Sequence, residues 1–244
     1  MKPSYYSAQE SAYKTIREKG EAGWQKKTFD EFRDPDTDKI IQNYVTQYFK
    51  SSAGLTALDL GTGSGPTAHT MFDLGFKVTG IDVCPSAIAL AREIAVKEKK
   101  DIRFEVADVL SLNERFDLIY DSHCAHCVVL EKDRQKFFSS IFNALNPQGI
   151  FILDSMANKD SDVSWKKIDT LRLDENFILW HKTKGETHTG VEKVGDTYWC
   201  PQRRIYPAEK LKQELLHQGF NILAFDIEEN NDGPFMVRAM CSKK

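Results

Sequence analysis

The segment DSHCAHC, residues 121–127, places two histidines and two cysteines within seven residues. Such side chains can bind zinc, transfer protons or attack as thiolates. Neighbouring side chains point apart on a strand or a helix, so these cannot all reach one ion, and a metal site would need a remote ligand such as Cys200. The pattern therefore argues against a metal site in this segment. His123 and His126 stay candidate bases or packing residues, and the two cysteines are expected to pack as small apolar side chains.

A second group of candidates lies in LDLGTGSG, residues 58–65, between a strand-like run and a helix-like run. Glycines let a backbone turn sharply and approach a ligand closely. The dinucleotide fingerprint G-x-G-x-x-G needs a small residue at position 66, where this chain has Pro66, so a nicotinamide enzyme is disfavoured. The loop instead contains an acid followed by alternating glycines, namely Asp59, Gly61, Gly63 and Gly65.

Asp82 ends the next predicted strand, in the sequence GIDV. In a doubly wound sheet, the carboxyl ends of neighbouring strands meet at one edge, where a carboxylate can accept hydrogen bonds from both hydroxyl groups of a ribose. We therefore expect a ribose-containing ligand across the ends of the first two strands.

This D-x-G-x-G-x-G arrangement resembles the first motif of class I S-adenosylmethionine-dependent methyltransferases. The similarity extends over residues 55–154 and 207–241: GIDV and ADV match the ends of the second and third strands, and RFDLIYDSHCAHC looks like the fourth. The segment LNPQG has Gln148 where the family commonly has glycine. The resemblance implies a Rossmann-like fold, S-adenosylmethionine as the cofactor and methyl transfer as the reaction.

The resemblance also implies roles for single residues. Asp82 would bind the ribose, Val83 would contact the adenine ring and Asp108 would hold the adenine amino group. Asp121 would hold the ammonium group of the cofactor or orient a histidine. With Trp24 added as a contact from the N-terminal segment, the expected cofactor-binding residues are Asp59, Gly61, Thr62, Gly63, Gly65, Asp82, Val83, Asp108, Val109, Asp121 and Trp24.

Methyl transfer from a sulfonium is an in-line displacement, so positioning the acceptor and excluding water supply much of the catalysis. An oxygen, amine or thiol acceptor can also need a base, and histidine suits that task near neutral pH. The acceptor is expected above the end of the fourth strand, beside DSHCAHC. His123 and His126 are accordingly the predicted catalytic residues, with packing near the cofactor as the alternative.

Alternating strands and helices must position these residues. The predicted strands LTALDLG, KVTGIDV, IRFEVAD, FDLIYDS and GIFILDS are separated by helix-like segments, and a helix containing residues 40–49 precedes them. This alternation indicates a doubly wound parallel sheet with helices on both faces. NILAFDI and FMVRAMC, joined by the turn EENNDGP, complete a mostly parallel seven-stranded sheet with an antiparallel last strand.

Two further regions are expected to flank the cofactor. Residues 1–54 would form an N-terminal helical lid with Tyr13 and Trp24 as contacts, and residues 55–244 the methyltransferase domain. Within that domain, residues 156–206 would form a β-type insertion on the acceptor side. Its aromatic residues could line an apolar pocket or form its own core, and its arginines could bind an anion or face solvent. These residues are Trp165, Trp180, Tyr198, Trp199, Arg203 and Arg204.

The chain has 244 residues, a formal net charge of -3 and interspersed basic and acidic residues. Nucleic acid is a disfavoured partner, because phosphate binding usually requires a concentrated basic surface. The sequence lacks a signal-like start and any apolar run of the roughly 18 residues that a membrane helix needs. Its five cysteines do not suggest a disulfide framework. We expect a soluble, cytoplasmic enzyme with a small-molecule acceptor, no membrane partner and an undetermined oligomeric state.

Other functions stay open at this point. A nicotinamide-dependent oxidoreductase would share the acid at the end of the second strand. A non-catalytic, methyltransferase-like binding subunit would retain the cofactor without turnover. Methylation of protein or RNA is disfavoured by the acidic balance of charge.

Overall fold

The computed structural model describes residues 3–24, 27–158, 168–228 and 235–244. Its helices are a 3-10 helix Tyr5–Gln9, α1 Glu10–Glu18, α2 Pro35–Tyr48, α3 Pro66–Asp73, α4 Pro85–Lys97, a 3-10 turn Ala125–Cys127, α5 Glu131–Ala144 and α6 Ala208–His217. Its strands are β1 Thr56–Leu60, β2 Lys77–Asp82, β3 Arg103–Val106, β4 Phe116–Ser122, β5 Leu145–Ala157, β6 Leu171–Leu173, β7 Ile178–Thr183, β8 Glu192–Val194, β9 Thr197–Arg204, β10 Phe220–Glu228 and β11 Phe235–Lys243.

Seven strands form the central sheet in the order β10-β11-β5-β4-β1-β2-β3. Strand β1 is parallel to both β2 and β4, with Leu60 opposite Ile81 on one side and Asp121 on the other. The chain therefore winds outward in both directions from β1, which creates a crevice at the carboxyl ends of these strands. Strand β11 runs antiparallel to β5 and β10. The expected doubly wound, mostly parallel sheet with an antiparallel last strand is confirmed.

Helices cover both faces of the sheet because its central strands are apolar on both sides. One face is packed by a cluster that includes Phe137, Phe138 and Phe151, and the other by a cluster that includes Ile41 and Met71. Proline occupies the first turn of α2, α3 and α4, where a missing backbone N–H costs no hydrogen bond. The buried sheet thus gives the loops at its edge a rigid support.

The expected β-type insertion is a second, four-stranded sheet in the order β6-β7-β9-β8. Its strands pair antiparallel, and β9 packs against both the 3-10 turn after β4 and the N-terminal 3-10 helix. The hydroxyl of Tyr5 accepts hydrogen bonds from the N–H groups of Val129, at 2.8 Å, and Leu130, at 3.1 Å. These contacts hold the small sheet and the N-terminus beside the end of β4.

Three details differ from the sequence expectation or fall outside it. Strand β5 begins at Leu145, so LNPQG lies in the strand, because Leu145 pairs with Phe116 before the register shifts. Strands β6 and β8 span three residues each, too few for a periodic signal. Most of the turn EENNDGP lies outside the described residues.

Within the described ranges, no helix is long and apolar enough to cross a membrane.

Candidate active site

A cavity of about 470 Å³ opens at the carboxyl ends of β1, β2 and β4. Its walls come from the loop between residues 61 and 67, from residues 82–84 and 108–109, and from residues 122–128. The N-terminal segment and strand β9 complete the walls. This position is the topological switch point of the sheet, where open α/β folds bind their ligands.

The glycine loop presents bare backbone to this cavity. Gly61 and Gly63 have φ angles of 62 and 56 degrees, a region that residues with a Cβ disfavour. A Cβ on Gly61 would lie 2.8 Å from Sγ of Cys124, and one on Gly63 would collide with the hydroxyl of Tyr13. Thr62 lies between them on the wall, and its N–H donates to the carbonyl of Ile81 at 2.8 Å. The loop is therefore a cradle that only glycine permits.

Asp82 stands at the end of β2 with 8% of its surface exposed. Its Oδ2 accepts the N–H of Gly63 at 3.0 Å, and its Oδ1 accepts the N–H of Cys84 at 2.8 Å. Burial raises the pKa of this carboxyl group, and the two backbone hydrogen bonds oppose that rise. Each oxygen keeps a second lone pair, so the held carboxylate can accept hydrogen bonds from a diol such as a ribose.

Asp59 lies lower on the same wall, where its Oδ2 accepts hydrogen bonds from Thr62 Oγ1 at 2.5 Å and from the N–H of Ala68 at 3.1 Å. Its Oδ1 is buried and has no hydrogen-bond partner among the residues that the structure describes. Burial raises the pKa of Asp59 to about 7. An unpartnered buried oxygen on a cavity wall calls for a ligand donor, such as the ammonium group of an amino acid.

The loop after β3 supplies a carboxylate beside apolar side chains. Asp108 accepts the N–H of Leu110 at 2.9 Å through Oδ1 and the hydroxyl of Tyr6 at 2.9 Å through Oδ2. Val83 and Val109 present apolar surface to the same part of the cavity. An apolar wall with an acceptor at its edge suits an adenine ring and its amino group.

The N-terminal segment lies over the glycine loop. Tyr13 is buried against Gly63, and its hydroxyl accepts a hydrogen bond from Nε1 of Trp24 at 3.1 Å. The two rings pack edge to face at 5.5 Å, and 50% of Trp24 is exposed. Both side chains line the cavity.

Two expected cofactor contacts are not on the cavity wall. A Cβ on Gly65, whose φ is 90 degrees, would lie 2.8 Å from the ring of Phe104, so this glycine permits close packing behind the loop. Asp121 is fully buried and accepts the N–H groups of Cys124, at 3.1 Å, and Ala125, at 2.8 Å. Asp121 therefore holds the turn after β4, and its carboxylate faces backbone donors instead of the ligand.

His126 has a defined hydrogen-bonding state. It is 3% exposed, and its Nδ1 accepts the N–H of Met156 at 3.2 Å. An accepting Nδ1 carries no proton, so the proton of the neutral ring is on Nε2. Burial and the nearby charge of Arg203 hold the pKa of His126 well below 6.5. His126 is therefore a neutral hydrogen-bond donor on the cavity wall.

His123 is the more accessible histidine of the pair but is partly withdrawn from water, and its ring packs edge to face against that of His126 at 5.7 Å. Its φ of 70 degrees turns the chain sharply, and its N–H donates to the carbonyl of Asp154 at 2.9 Å. Its pKa is lowered by burial, with the carboxylate of Asp154 opposing the change and the charges of Arg238 and Arg203 adding to it. A neutral His123 at the cavity can accept a proton near pH 7.

The two arginines of the insertion have different surroundings. Arg203 lines the cavity, whereas Arg204 donates through Nη1 to Glu131 at 2.7 Å and to the hydroxyl of Tyr206 at 2.6 Å. Successive side chains on a strand point to opposite faces, so only one of the pair reaches the site. Arg204 therefore anchors β9 to α5, and the expectation of an exposed or anion-binding role does not hold for it.

None of the insertion's aromatic residues that the structure describes lines the cavity. Trp180 is buried in a cluster with Tyr5 and Cys200, and Trp199 packs against that cluster. Tyr198 is half-buried on β9 away from the cavity wall, and Trp165 lies outside the described residues. Trp180 and Trp199 therefore belong to the packing of the small sheet.

The cysteines of DSHCAHC are thiols packed at the wall. Burial raises the pKa of Cys124 and of Cys127, so neither is a thiolate near pH 7. In the described part of the chain, no group of three or more His, Cys, Asp or Glu side chains is arranged to hold a metal ion.

Tyr6 and Met156 reach the cavity although no motif marks them. Tyr6 contacts Asp108 from 102 positions away in the sequence, because the N-terminal 3-10 helix docks on the small sheet. Met156 extends past the end of β4 because β5 is long. Neither position carries a local sequence signal that could have identified it.

Comparison with known proteins identifies the family. Residues 51–229 match the family model of the methyltransferase domain. The chain is 26% identical over 191 residues to the putative methyltransferase YqeM of Bacillus subtilis, covering 68% of this chain and 73% of that protein. It is 29% identical over 183 residues to human EEF1A lysine methyltransferase 2, covering 70% and 71% of the two chains.

A solved structure shows the same fold. The 1,6-didemethyltoxoflavin-N1-methyltransferase of Burkholderia thailandensis, bound to 1,6-didemethyltoxoflavin and S-adenosylhomocysteine, matches with a TM-score of 0.63 and 16% identity. The match covers 98% of this chain and 89% of that one. Fold and site together define a class I methyltransferase, and the chain belongs to the methyltransferase domain family. It is an enzyme of the S-adenosylmethionine-dependent type, as expected, and the glycine cradle, Asp82 and the unpartnered oxygen of Asp59 fit that cofactor.

Proposed function

We propose that the protein methylates a small molecule bound between the cofactor and the turn after β4. The observation that carries this proposal is the continuity of the cavity from the glycine loop to His126 and Arg203. A volume of about 470 Å³, on which walls from several separate segments converge, suits a small acceptor that is enclosed with the cofactor.

The chain's own residues would hold the cofactor at one end of the cavity. Gly61, Thr62 and Gly63 would hold its methionine part beside Asp59, and Asp82 would bind its ribose. The adenine would lie against Val83 and Val109, with Asp108 at its amino group. When bound, S-adenosylmethionine supplies an electrophilic methyl group on a sulfonium sulfur.

At the other end, the two histidines have different roles. His126 donates a hydrogen bond from Nε2 and positions the acceptor, because its Nδ1 is occupied by the N–H of Met156. His123 accepts the proton that the attacking atom of the acceptor loses. Asp121 supports both by holding the turn that carries them.

The outer parts of the chain complete the enclosure. Within residues 1–54, the segment 3–24 acts as the lid, which Tyr13 and Trp24 bring onto the glycine loop of the methyltransferase domain, residues 55–244, whereas α2 packs on a face of the sheet. Residues 156–206 act as the insertion on the acceptor side, since Arg203 of β9 lines that end of the cavity. Free thiols at all five cysteines are consistent with activity in the reducing cytoplasm.

Methyl labelling tests this function. The full chain and its Asp82→Ala variant would each be incubated with S-adenosylmethionine carrying a tritiated methyl group and a total cell extract. The extract would then be separated into small molecules, protein and RNA. We expect Asp82-dependent label in the small-molecule fraction.

Methylation of a protein is the second candidate, because human EEF1A lysine methyltransferase 2 is similar over 70% of this chain. Label confined to protein would favour that candidate and overturn a small-molecule acceptor. Cofactor binding without label in any fraction would instead indicate a binding subunit.

A further inference from the structure

We propose that the methyl acceptor carries an anionic group, a carboxylate or a phosphate, and that Arg203 binds it. This inference rests on the proposed small-molecule methyl transfer and specifies the class of substrate. No part of the family motifs includes Arg203, which lies on the insertion.

Arg203 is a half-buried cation with unused donors. Its Nη1 donates to the carbonyl of Gln202 at 2.9 Å, and a guanidinium has five N–H donors. Among the residues that the structure describes, Arg203 makes no ion pair, although it lines the cavity. The remaining donors are therefore available to a ligand.

Three other arginines withdrawn from water in this protein have acidic partners, and a fourth, Arg172, lies over the rings of Trp180 and Trp199. Arg134, at 2% side-chain exposure, pairs with Glu214 at 2.6 Å, and Arg204, at 6%, pairs with Glu131 at 2.7 Å. Arg238, at 15%, pairs with Asp154 at 3.2 Å. Because a partly desolvated charge costs free energy unless it is paired, Arg203 lacks the compensation that the others have. An anionic ligand would supply it.

Charge is segregated along the cavity. The wall carboxylates Asp59, Asp82 and Asp108 all lie at the end assigned to the cofactor, and each accepts hydrogen bonds from the chain. Arg203 lies at the other end, where its charge adds to the lowering of the pKa of His126 and opposes the rise that burial causes in the pKa of Cys127. Asp154, the acid that acts on His123, is already paired with Arg238, so an anion beside His126 would lie next to Arg203.

The shape of the guanidinium specifies the chemistry of the group. Its planar fork of N–H donors matches the two oxygens of a carboxylate or phosphate. Such a contact would also orient the acceptor. With its anionic group bound to Arg203, the opposite end of the acceptor would face His123 and the methyl group to be transferred. Arg203 would then be a specificity-determining residue that touches substrate.

Binding of matched probes tests the inference without requiring the acceptor. The full chain, saturated with S-adenosylhomocysteine, would be titrated calorimetrically with benzoate, phenyl phosphate and uncharged benzamide. Three proteins would be compared: wild type, Arg203→Gln, and Lys182→Gln as a control that removes one positive charge from an exposed site on β7 of the same sheet. The affinity for S-adenosylhomocysteine would be measured for each.

We expect an anion to bind wild type and Lys182→Gln more tightly than benzamide does. Arg203→Gln should weaken that binding about ten- to hundredfold, the range for loss of a charge-assisted hydrogen bond, with unchanged affinity for S-adenosylhomocysteine. Arg203→Lys should retain part of the preference. The tighter of benzoate and phenyl phosphate identifies the anionic group.

The inference is overturned if benzamide binds as well as the anions, if no anion binds, or if anion binding survives Arg203→Gln. Each of these results leaves small-molecule methylation intact, because the labelling experiment measures that separately. Conversely, label found only in protein would contradict the proposed function whatever the probes show.

Discussion

The two ends of the cavity are built on different principles. At the cofactor end, backbone groups of neighbouring loops hold the carboxylates in place: Asp82 accepts the N–H groups of Gly63 and Cys84. At the acceptor end, the functional side chains come from β4, β5 and β9 and meet only in three dimensions, as Arg203 meets His126. The cofactor end is thus local and pre-organised, whereas the acceptor end depends on how separate elements dock.

This difference predicts that the two ends respond differently to mutation. A cradle made from alternating glycines and one strand-end acid should change little when distant segments change. An acceptor end that draws Arg203 from an insertion and Met156 from an extended strand can be altered by exchanging those segments. Variants in the two ends should therefore separate cofactor binding from turnover and selectivity.

The largest expected effect is at the acceptor end. His123→Asn should lower kcat by about a hundredfold or more, the usual contribution of a general base, while S-adenosylhomocysteine affinity stays unchanged. Because burial keeps the pKa of His123 below 6.5, wild-type turnover should fall only as pH drops below that value. The fall in turnover at low pH should be absent in His123→Asn and present in His126→Asn. Both pH profiles would be measured with the acceptor that the labelling experiment identifies. If turnover of His123→Asn fell at low pH as it does in wild type, His123 would not be the general base.

The cofactor end should show the reverse behaviour. Asp82→Ala removes a carboxylate that can accept two ribose hydroxyls, so the affinity for S-adenosylhomocysteine should fall about a hundredfold. Calorimetry measures this directly, with Glu105→Gln on the edge strand β3 as the charge-matched control. Equal affinity of Asp82→Ala and wild type would refute the ribose assignment.

A smaller effect concerns stability behind the glycine loop. His69 of α3 is fully buried between the rings of Phe32, at 5.0 Å, and Phe104, at 6.4 Å, and burial lowers its pKa to about 4. Between pH 6.5 and about 4, His69 is protonated in the unfolded chain but stays neutral in the folded chain. The free energy of unfolding therefore falls as the pH drops through this range. When the pH is lowered from 7.5 to 5.0, the free energy of unfolding, measured with denaturant, should fall by about 2 kcal/mol less in His69→Leu than in wild type.

The exposed His217 offers a control for this experiment. His217→Leu should keep the pH dependence of wild type. If His69→Leu also kept it, the buried imidazole would not be the source of the acid sensitivity.

The smallest expected change tests the cradle itself. Gly63→Ala adds a Cβ against the hydroxyl of Tyr13 at a φ of 56 degrees, and should cost about 1–2 kcal/mol in stability and about tenfold in S-adenosylhomocysteine affinity. Gly195→Ala has a similar φ of 59 degrees but no atom within 4 Å of the new Cβ. It should lose stability without losing cofactor affinity. Equal affinity losses in the two variants would show that strain alone, not the cradle, is responsible.

Local patterns predicted much of the fold. The end of the second strand at Asp82 and the alternation of strands and helices could be predicted because hydrophobic periodicity acts over a few residues. The fifth strand was expected in GIFILDS, from Gly149, but β5 begins at Leu145, since pairing with β4 extends it. The short strands β6 and β8 had no period to detect.

Residue types and their order along the chain were enough to predict the sheet, the family and the cofactor cradle, because glycine φ angles, a strand-end acid and the order of elements are local properties of the chain. Tertiary structure alone decided that Asp121 faces backbone donors, that Nδ1 of His126 accepts the N–H of Met156, and that Arg203 reaches the cavity while Arg204 pairs with Glu131. These outcomes depend on long-range docking, in which burial and partners from distant segments set the protonation state and the direction of each side chain.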